Sequence, residues 1–211
     1  MNKNKVIVNR RGLMLILSSP SGAGKTTIAR RLLDSDLDIE ISVSVTTRSP
    51  RKTEINGKDY TFVSKSQFNK MIANNELLEH AEIFSNLYGT PSKHVMDSLS
   101  EGKDLLFDID WQGTQALRGA LPQDVVSIFI LPPSTKELER RLRSRGSEGS
   151  EVLLKRITAA SKEITHWAEY DYVIINNEIN ESVENIVSIL IAERLKRDRQ
   201  IGLTKFVLGL T

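Results

Sequence analysis

At 211 residues, with 39% hydrophobic and 27% charged side chains, the chain is long enough to bury one α/β core and has the balance of an ordinary globular enzyme. Its 29 basic residues are nearly offset by 27 acidic ones, a net charge of +2, so charge alone points to no nucleic acid polymer as partner, and any nucleotide specificity would have to come from placed residues. The absence of cysteine excludes disulfides, cysteine zinc sites and thiol catalysis and fits a cytoplasmic location, and no apolar run approaches the roughly 18 residues a membrane helix needs.

The N-terminus carries Lys3, Lys5, Arg10 and Arg11 ahead of an apolar run at 13–17. That run is shorter than the about 7–15 residues of a signal-peptide core, and it leads directly into a glycine-containing loop. It reads as a buried parallel strand over 13–18, preceded by an extension at 1–11. Gly22 and Gly24 break the strand, 25–33 reads as a helix, and 39–45 as a second strand, which completes a βαβ unit.

The texture then changes. Asn56-Gly57 predicts a tight hairpin leading into 60–63. Phe68, Met71 and Ile72 mark a small helix after Ser66. Strands follow at 79–84 and 87–89 around a Ser85-Asn86 turn. Pro91 opens a helix carrying Val95 and Leu99. Strand-like runs at 104–110 and 125–131 resume the core. Ser134 and Glu137 have the spacing of a capping box for a helix through Leu142. A charged break at 144–150 precedes a long helix at 151–169. A last strand at 172–175 and an amphipathic helix from Val183 to Leu195 close the pattern.

Alternating strands and helices imply an α/β fold with a parallel sheet covered on both faces. The expected division of a single domain at 12–200 is a core at 12–43, 97–133 and 158–200, a mixed α/β insertion at 44–96 and a helical lid at 134–157. The tail at 201–211 carries Phe206, Val207, Leu208 and Leu210. It packs either on its own core or on a second copy, which leaves a homo-oligomer open.

Ser19, Pro20, Ser21, Gly22, Ala23, Gly24, Lys25 and Thr26 follow the P-loop pattern, between an apolar strand and a helix, except that Ser19 stands where glycine is usual. Small residues let successive N–H groups surround phosphate oxygens, and the helix N-terminus adds positive potential. Lys25 would reach the β- and γ-phosphates and the Thr26 hydroxyl would face Mg²⁺. A glycine-serine turn capping an ordinary helix is the bland alternative. If the position of Ser19 required positive φ, serine would be costlier there than glycine.

Asp108 and Asp110, alternating with Ile109 at the end of an apolar strand, are expected to share one strand face, with one near hydrated Mg²⁺ and the other near substrate. Glu79 offers two acceptor oxygens, and Arg141 and Arg145 stand one helical turn apart. His80, His94 and His166 lack metal-ligand spacing.

In the order and spacing of SSPSGAGKTT, SVSVTTRSPR, INGKDYTFV, LLEHAEIF, LYGT, LFDIDWQG, IFILPPS and RRLRSRG, the chain resembles the guanylate kinase family over nearly all of 13–197. The resemblance implies a P-loop NTPase-type core, a GMP-binding insertion and a lid. It also implies Mg²⁺-dependent transfer of the ATP γ-phosphate to GMP and dGMP, giving ADP and the diphosphate, within guanine nucleotide metabolism.

By resemblance, Glu79 reads guanine with help from Ser44, Thr90 and Asp108, while Arg48, Arg51, Tyr60 and Tyr88 clamp the GMP phosphate. Arg141, Arg145 and Arg156 are the lid arginines that act with Lys25 and Arg48 on the transferring group. Thr27 and Asn176 complete the ATP side, and Thr26 with Asp110 serves Mg²⁺, directly or through water. The same fold also occurs as a non-catalytic protein-binding module, the alternative reading of the family.

Overall fold

The structure is a computed structural model that describes residues 8–35, 38–83, 85–145 and 150–210. Lys3 and Lys5 of the basic N-terminus, Phe84 of an expected strand and 146–149 of the expected lid break lie outside these residues.

The central strand β1 (Met14–Ser18) is buried along its whole length, and its side chains divide between the two faces of the sheet. Leu13, Leu15 and Leu17 pack with α1 (Lys25–Leu33) and α7 (Ile179–Arg194) through Ile28, Leu32, Ile186 and Leu190. Met14 and Ile16 pack on the other face with α3 (Ser92–Ser100) and α4 (Trp111–Ala120) through Val95, Leu99 and Leu117. A strand clamped between helical layers must be apolar on both sides, which explains its unbroken hydrophobic run.

Around β1 the parallel sheet contains β2 (Ile39–Ile41), β7 (Asp104–Asp108), β8 (Val125–Leu131) and β9 (Tyr172–Ile175), in the order β2-β7-β1-β8-β9. The chain fills one side of β1 first and then the other. The reversal therefore opens a crevice at the carboxyl ends of β1 and its neighbours, the usual place for a ligand in open α/β sheets.

A second, four-stranded sheet holds β3 (Val45–Thr46), β4 (Thr61–Phe62), β5 (Leu77–Ile83) and β6 (Asn86–Pro91), in the order β4-β3-β6-β5. The strand expected at 39–45 is thus two strands in two sheets. The Ser42 amide still donates to the Leu106 carbonyl of the core at 2.8 Å, and by Val45 the chain pairs with β4 and β6. Alternation in sequence reports which faces are buried, not which sheet supplies the partner.

The Asn56-Gly57 turn is present, with Gly57 at φ +79° and the Asn56 side chain accepting from the Phe62 amide at 2.9 Å. It is no hairpin, because β4 runs parallel to β3 instead of folding back on the preceding segment. In the same insertion, α2 (Lys65–Ala73) has a complete capping box of Ser64 and Gln67.

α5 (Thr135–Arg145) packs on α6 (Ser150–Ile164) around Leu138, Leu142, Ile157 and Ala160. Ser134 caps the Glu137 amide at 3.1 Å, but the Glu137 carboxylate turns to Arg140 and Arg141 instead of closing a capping box. The long helix expected to reach 169 ends at Ile164 and continues as a 3₁₀ turn, Thr165–Glu169. There the Thr165 hydroxyl donates to the Lys162 carbonyl at 2.7 Å, competing locally with the helical ladder.

Arg10 and Arg11, placed before the domain on sequence grounds, are tied to the core. Arg10 and Arg194 both donate to the fully buried Asp104, each at 2.6 Å, and Arg11 forks onto Asp124 with two bonds of 2.7 Å. The tail forms a short helix, α8 (Leu203–Leu208), yet Leu208 and Leu210 stay 71% and 70% exposed, so these side chains do not bury on the chain's own core.

Candidate active site

The loop between β1 and α1 stands at the sheet's reversal. Buried Ser18 donates to the Ile109 carbonyl at 2.8 Å, fixing the end of β1 to the segment after β7. Positive φ within the loop falls on Gly22 (+92°) and Gly24 (+106°), and Ser19 is not in that region. The cost raised by Ser19 in place of glycine therefore does not arise. Its hydroxyl donates to the neighbouring Pro20 carbonyl at 3.0 Å.

Gly24 is required twice over, by its φ and by space. A Cβ there would lie 2.4 Å from the Asn176 side-chain nitrogen. Asn176 is buried, donates to the Ala23 carbonyl at 2.7 Å and accepts from Ser182 at 3.0 Å, so its side chain braces the loop from behind. Arg141 Nη1 reaches the same Ala23 carbonyl at 3.2 Å, while its Nε donates to Glu137 at 2.8 Å. The two arginines on Glu137 hold that carboxyl at about 2.

The loop encloses a cavity of about 280 Å³. Ser19, Pro20, Ser21, Gly22, Gly24, Lys25 and Thr26 line it, opposite Asp108, Asp110, Trp111 and Glu163. Ala23 is buried behind the wall, and Thr27 enters α1 with its amide on the Gly24 carbonyl at 3.1 Å. Lys25 forms an ion pair with Asp108.

Asp108 and Asp110 both face this cavity, but not from one strand face as expected. β7 stops at Asp108, and Asp110 is the N-cap of α4, accepting from the Gly113 amide at 3.0 Å. An aspartate before a helix is as good a cap as a strand end, and α4 itself had gone unread.

A second cavity, of about 370 Å³, lies on the insertion's side. Ser44, Glu54 and Tyr60 line it, and Thr26 and Asp108 belong to both cavities. Arg48 lies over the Tyr60 ring, 5.4 Å from its centre, and Tyr88 meets Tyr60 edge-on at 6.1 Å. Burial raises the Tyr60 phenol, with Asp108 adding to the effect. Arg48 Nη2 donates to Glu54 at 2.8 Å, and Arg51, its side chain 77% exposed, reaches the same oxygen at 3.9 Å.

Glu79 and Thr90 are cross-strand neighbours on β5 and β6. The Thr90 hydroxyl donates to Glu79 at 2.7 Å. Burial pushes the Glu79 carboxyl up, opposed by Thr90 and reinforced by the charge of Asp110. Arg156 lies on α6, half-buried, and the Arg145 side chain lies outside the described residues.

Sequence reasoning had overlooked Glu54, Trp111 and Glu163. For Glu54 a signal was available, the three-residue spacing from Arg48 through Arg51. Trp111 follows directly on Asp110. Glu163 touches the loop from 142 positions away and carried no local signal.

Two cavities meeting at the first turn of the helix behind a phosphate loop define a class, the P-loop nucleotide-binding proteins with an inserted second binding region. Comparison with known proteins narrows it. The guanylate kinase family profile matches residues 11–193. The guanylate kinases of Paramagnetospirillum magneticum and Bradyrhizobium diazoefficiens are 54% and 56% identical, over 95% and 96% of this chain and 94% and 93% of theirs. A crystal structure of guanylate kinase from Anaplasma phagocytophilum superposes with a TM-score of 0.78 at 42% identity, covering 96% of both chains. The chain belongs to the guanylate kinase family.

Proposed function

We propose that the chain transfers the γ-phosphoryl group of ATP to GMP, and to dGMP, giving ADP and the nucleoside diphosphate. The observation that carries this reading is the wall shared by the two cavities. Thr26 and Asp108 line both, so a phosphate on the loop and a second nucleotide on the insertion would face each other across one boundary.

On the donor side the loop amides and Lys25 receive the β- and γ-phosphates. Arg141, Arg145 and Arg156 gather negative charge on the transferring group from the lid. Asn176 acts on the donor side by holding the loop that receives ATP. On the acceptor side Arg48, Arg51, Tyr60 and Tyr88 hold the GMP phosphate. Glu79 accepts from the N1–H and N2 amino group of guanine, with Ser44, Thr90 and Asp108 beside it. An oxygen of the GMP phosphate attacks the γ-phosphorus, forming a new P–O bond as the bond to the bridging oxygen of ADP breaks. That oxygen is already anionic, so positioning and charge neutralisation carry the rate without a general base.

Among the described residues no group of three or more His, Cys, Asp or Glu could hold a metal by itself. This fits Mg²⁺, which keeps several waters and binds through one or two protein ligands plus substrate phosphates. Thr26 and Asp110, both in the donor cavity, would hold it, and when bound it neutralises phosphate charge. Among the described residues no helix is long and apolar enough to cross a membrane.

A coupled assay of ADP formation with GMP, dGMP, AMP, UMP and TMP as acceptors tests the reading. Turnover is expected with GMP and dGMP. Equal turnover of AMP and GMP would refute the role of Glu79, and no ADP from any acceptor would leave a binding module instead of an enzyme.

A further inference from the structure

The cradle proposed for ATP phosphates already contains an anion of the chain's own. The Ser21 amide, one of the loop N–H groups, donates to Glu163 Oε2 at 3.1 Å. Glu163 lines the loop cavity together with Lys25 and Asp110. A carboxylate is a fair substitute for a phosphate edge, since both accept N–H bonds through anionic oxygens.

The environment shows what holds Glu163 there. Burial works against its charged form, and the charge of Asp110 adds to that, while the Ser21 amide and Lys25 work for it. The cationic loop therefore retains a carboxylate in a half-enclosed site that disfavours it. A triphosphate bearing several charges cannot share that volume without repulsion.

Glu163 also shares a helix with Arg156, one of the residues proposed for the lid. It lies on α6 about two helical turns beyond Arg156, so the two side chains emerge on the same face of the helix. Ile157 and Ile164 of α6 pack with Leu138 and Leu142 of α5. Displacement of the carboxylate is thus either a change of rotamer or a movement of the lid helix.

We propose that Glu163 is an internal occupant of the donor cradle that the ATP triphosphate must displace, so that it lowers and sets the affinity for ATP. The inference rests on the reading of the loop as the ATP site. It makes Glu163 a competitor for the loop amide, not a partner of the bound nucleotide.

The test is calorimetric titration of the full chain with ATP plus Mg²⁺ and, separately, with inorganic tripolyphosphate, beside steady-state KM values for both substrates. Glu163→Gln keeps shape but removes the charge, and Glu163→Ala removes the competitor altogether. Both variants are expected to bind ATP and tripolyphosphate about tenfold more tightly than wild type, the scale of one charge-assisted hydrogen bond lost by the competing state. KM for ATP falls with them and KM for GMP does not move, a split that general loosening of the fold would not produce. If wild type binds ATP and both folded variants bind it equally or more weakly, the proposal is overturned. Weaker binding would mean that Glu163 serves the bound nucleotide. If wild type binds neither ATP nor tripolyphosphate, the reading of the loop fails, and the proposal fails with it.

Discussion

The two regions proposed to handle phosphate are built from different materials. The donor cradle is mostly backbone, a loop strung between a fully buried strand and the first turn of a helix, braced from behind by Asn176 and Arg141. The acceptor clamp is mostly side chain, with Arg48, Tyr60 and Tyr88 leaning on one another above strands of two to six residues. Each region also meets a carboxylate, but under opposite conditions. Glu54 is held below the usual carboxylate range, first by the Arg48 guanidinium and then by the Arg51 amide, whereas burial drives Glu163 up. A backbone cradle tolerates changes of side chain as long as φ and space are respected. A side-chain clamp depends on the identity of each member.

If that distinction holds, the side chain on which the donor region depends most is Lys25, the cation that projects into its cavity. Lys25→Ala is expected to lower kcat by at least about 10²–10³-fold, as loss of a transition-state donor does. Its ion-pair partner Asp108 is at the cavity wall and 35% exposed, so the fold should survive. Coupled ADP release and a thermal melt of the same sample measure the two halves. A fully folded variant with near-normal turnover would break the assignment of the donor site.

Glu79 gives the next largest effect. Glu79→Gln presents an amide N–H to the guanine donors and is expected to lower kcat/KM for GMP by about 10²-fold while leaving KM for ATP in place. The pH dependence follows from the raised carboxyl, pushed up chiefly by burial. The ionised form, which accepts from guanine, is complete only above that raised value. GMP affinity is therefore full above it and falls as pH drops through it. The variant must lack this component when the two profiles are compared.

A smaller loss is expected from Arg48→Lys. Lysine keeps the charge but not the planar fork that reaches Glu54 and the Ser49 carbonyl, each at 2.8 Å, nor the stacking over Tyr60. KM for GMP should rise about tenfold with a lesser change in kcat, since the lysine ammonium still attracts the phosphate as a point charge. Equal kinetics for lysine and arginine would show that the clamp needs only charge, and the contrast between the two regions would weaken.

How far the sequence revealed these regions follows the same division. The elements β8, β9 and α1 lie where their apolar patterns and bounding turns predicted. A strand paired on both edges and covered on both faces, as β8 is, has no alternative to an apolar run, whereas the edge strand β9 leaves Val173 and Ile175 exposed. At 39–45 the pattern was readable but the partner was not, since the choice between two sheets is made by tertiary contacts. At Asp110 one residue could end a strand or cap a helix, and the strand reading concealed α4. The phosphate loop was legible as a local motif. The brace by Asn176 and the Glu163 contact were not, because each depends on which distant segments the fold brings together.

Ser19→Gly should give the smallest effect, and it separates the two kinds of construction most directly. Serine departs from the usual glycine at the start of the loop, and a purely sequence-based view would expect glycine to restore something lost. The backbone at this position is outside the positive-φ region, which the loop reserves for Gly22 and Gly24, so glycine has no conformational strain to relieve. The Ser19 hydroxyl bonds only to its neighbour's carbonyl among the contacts seen for it, a local interaction that leaves the cradle amides untouched. Glycine adds freedom to the unfolded chain, which is expected to cost about 0.5–1 kcal/mol in stability. KM for ATP and kcat should stay within about twofold, since the amides that face phosphate belong to the backbone. A gain of tenfold or more in ATP affinity would show that Ser19 distorts the cradle, and the donor region would then depend on side-chain identity as the acceptor clamp does.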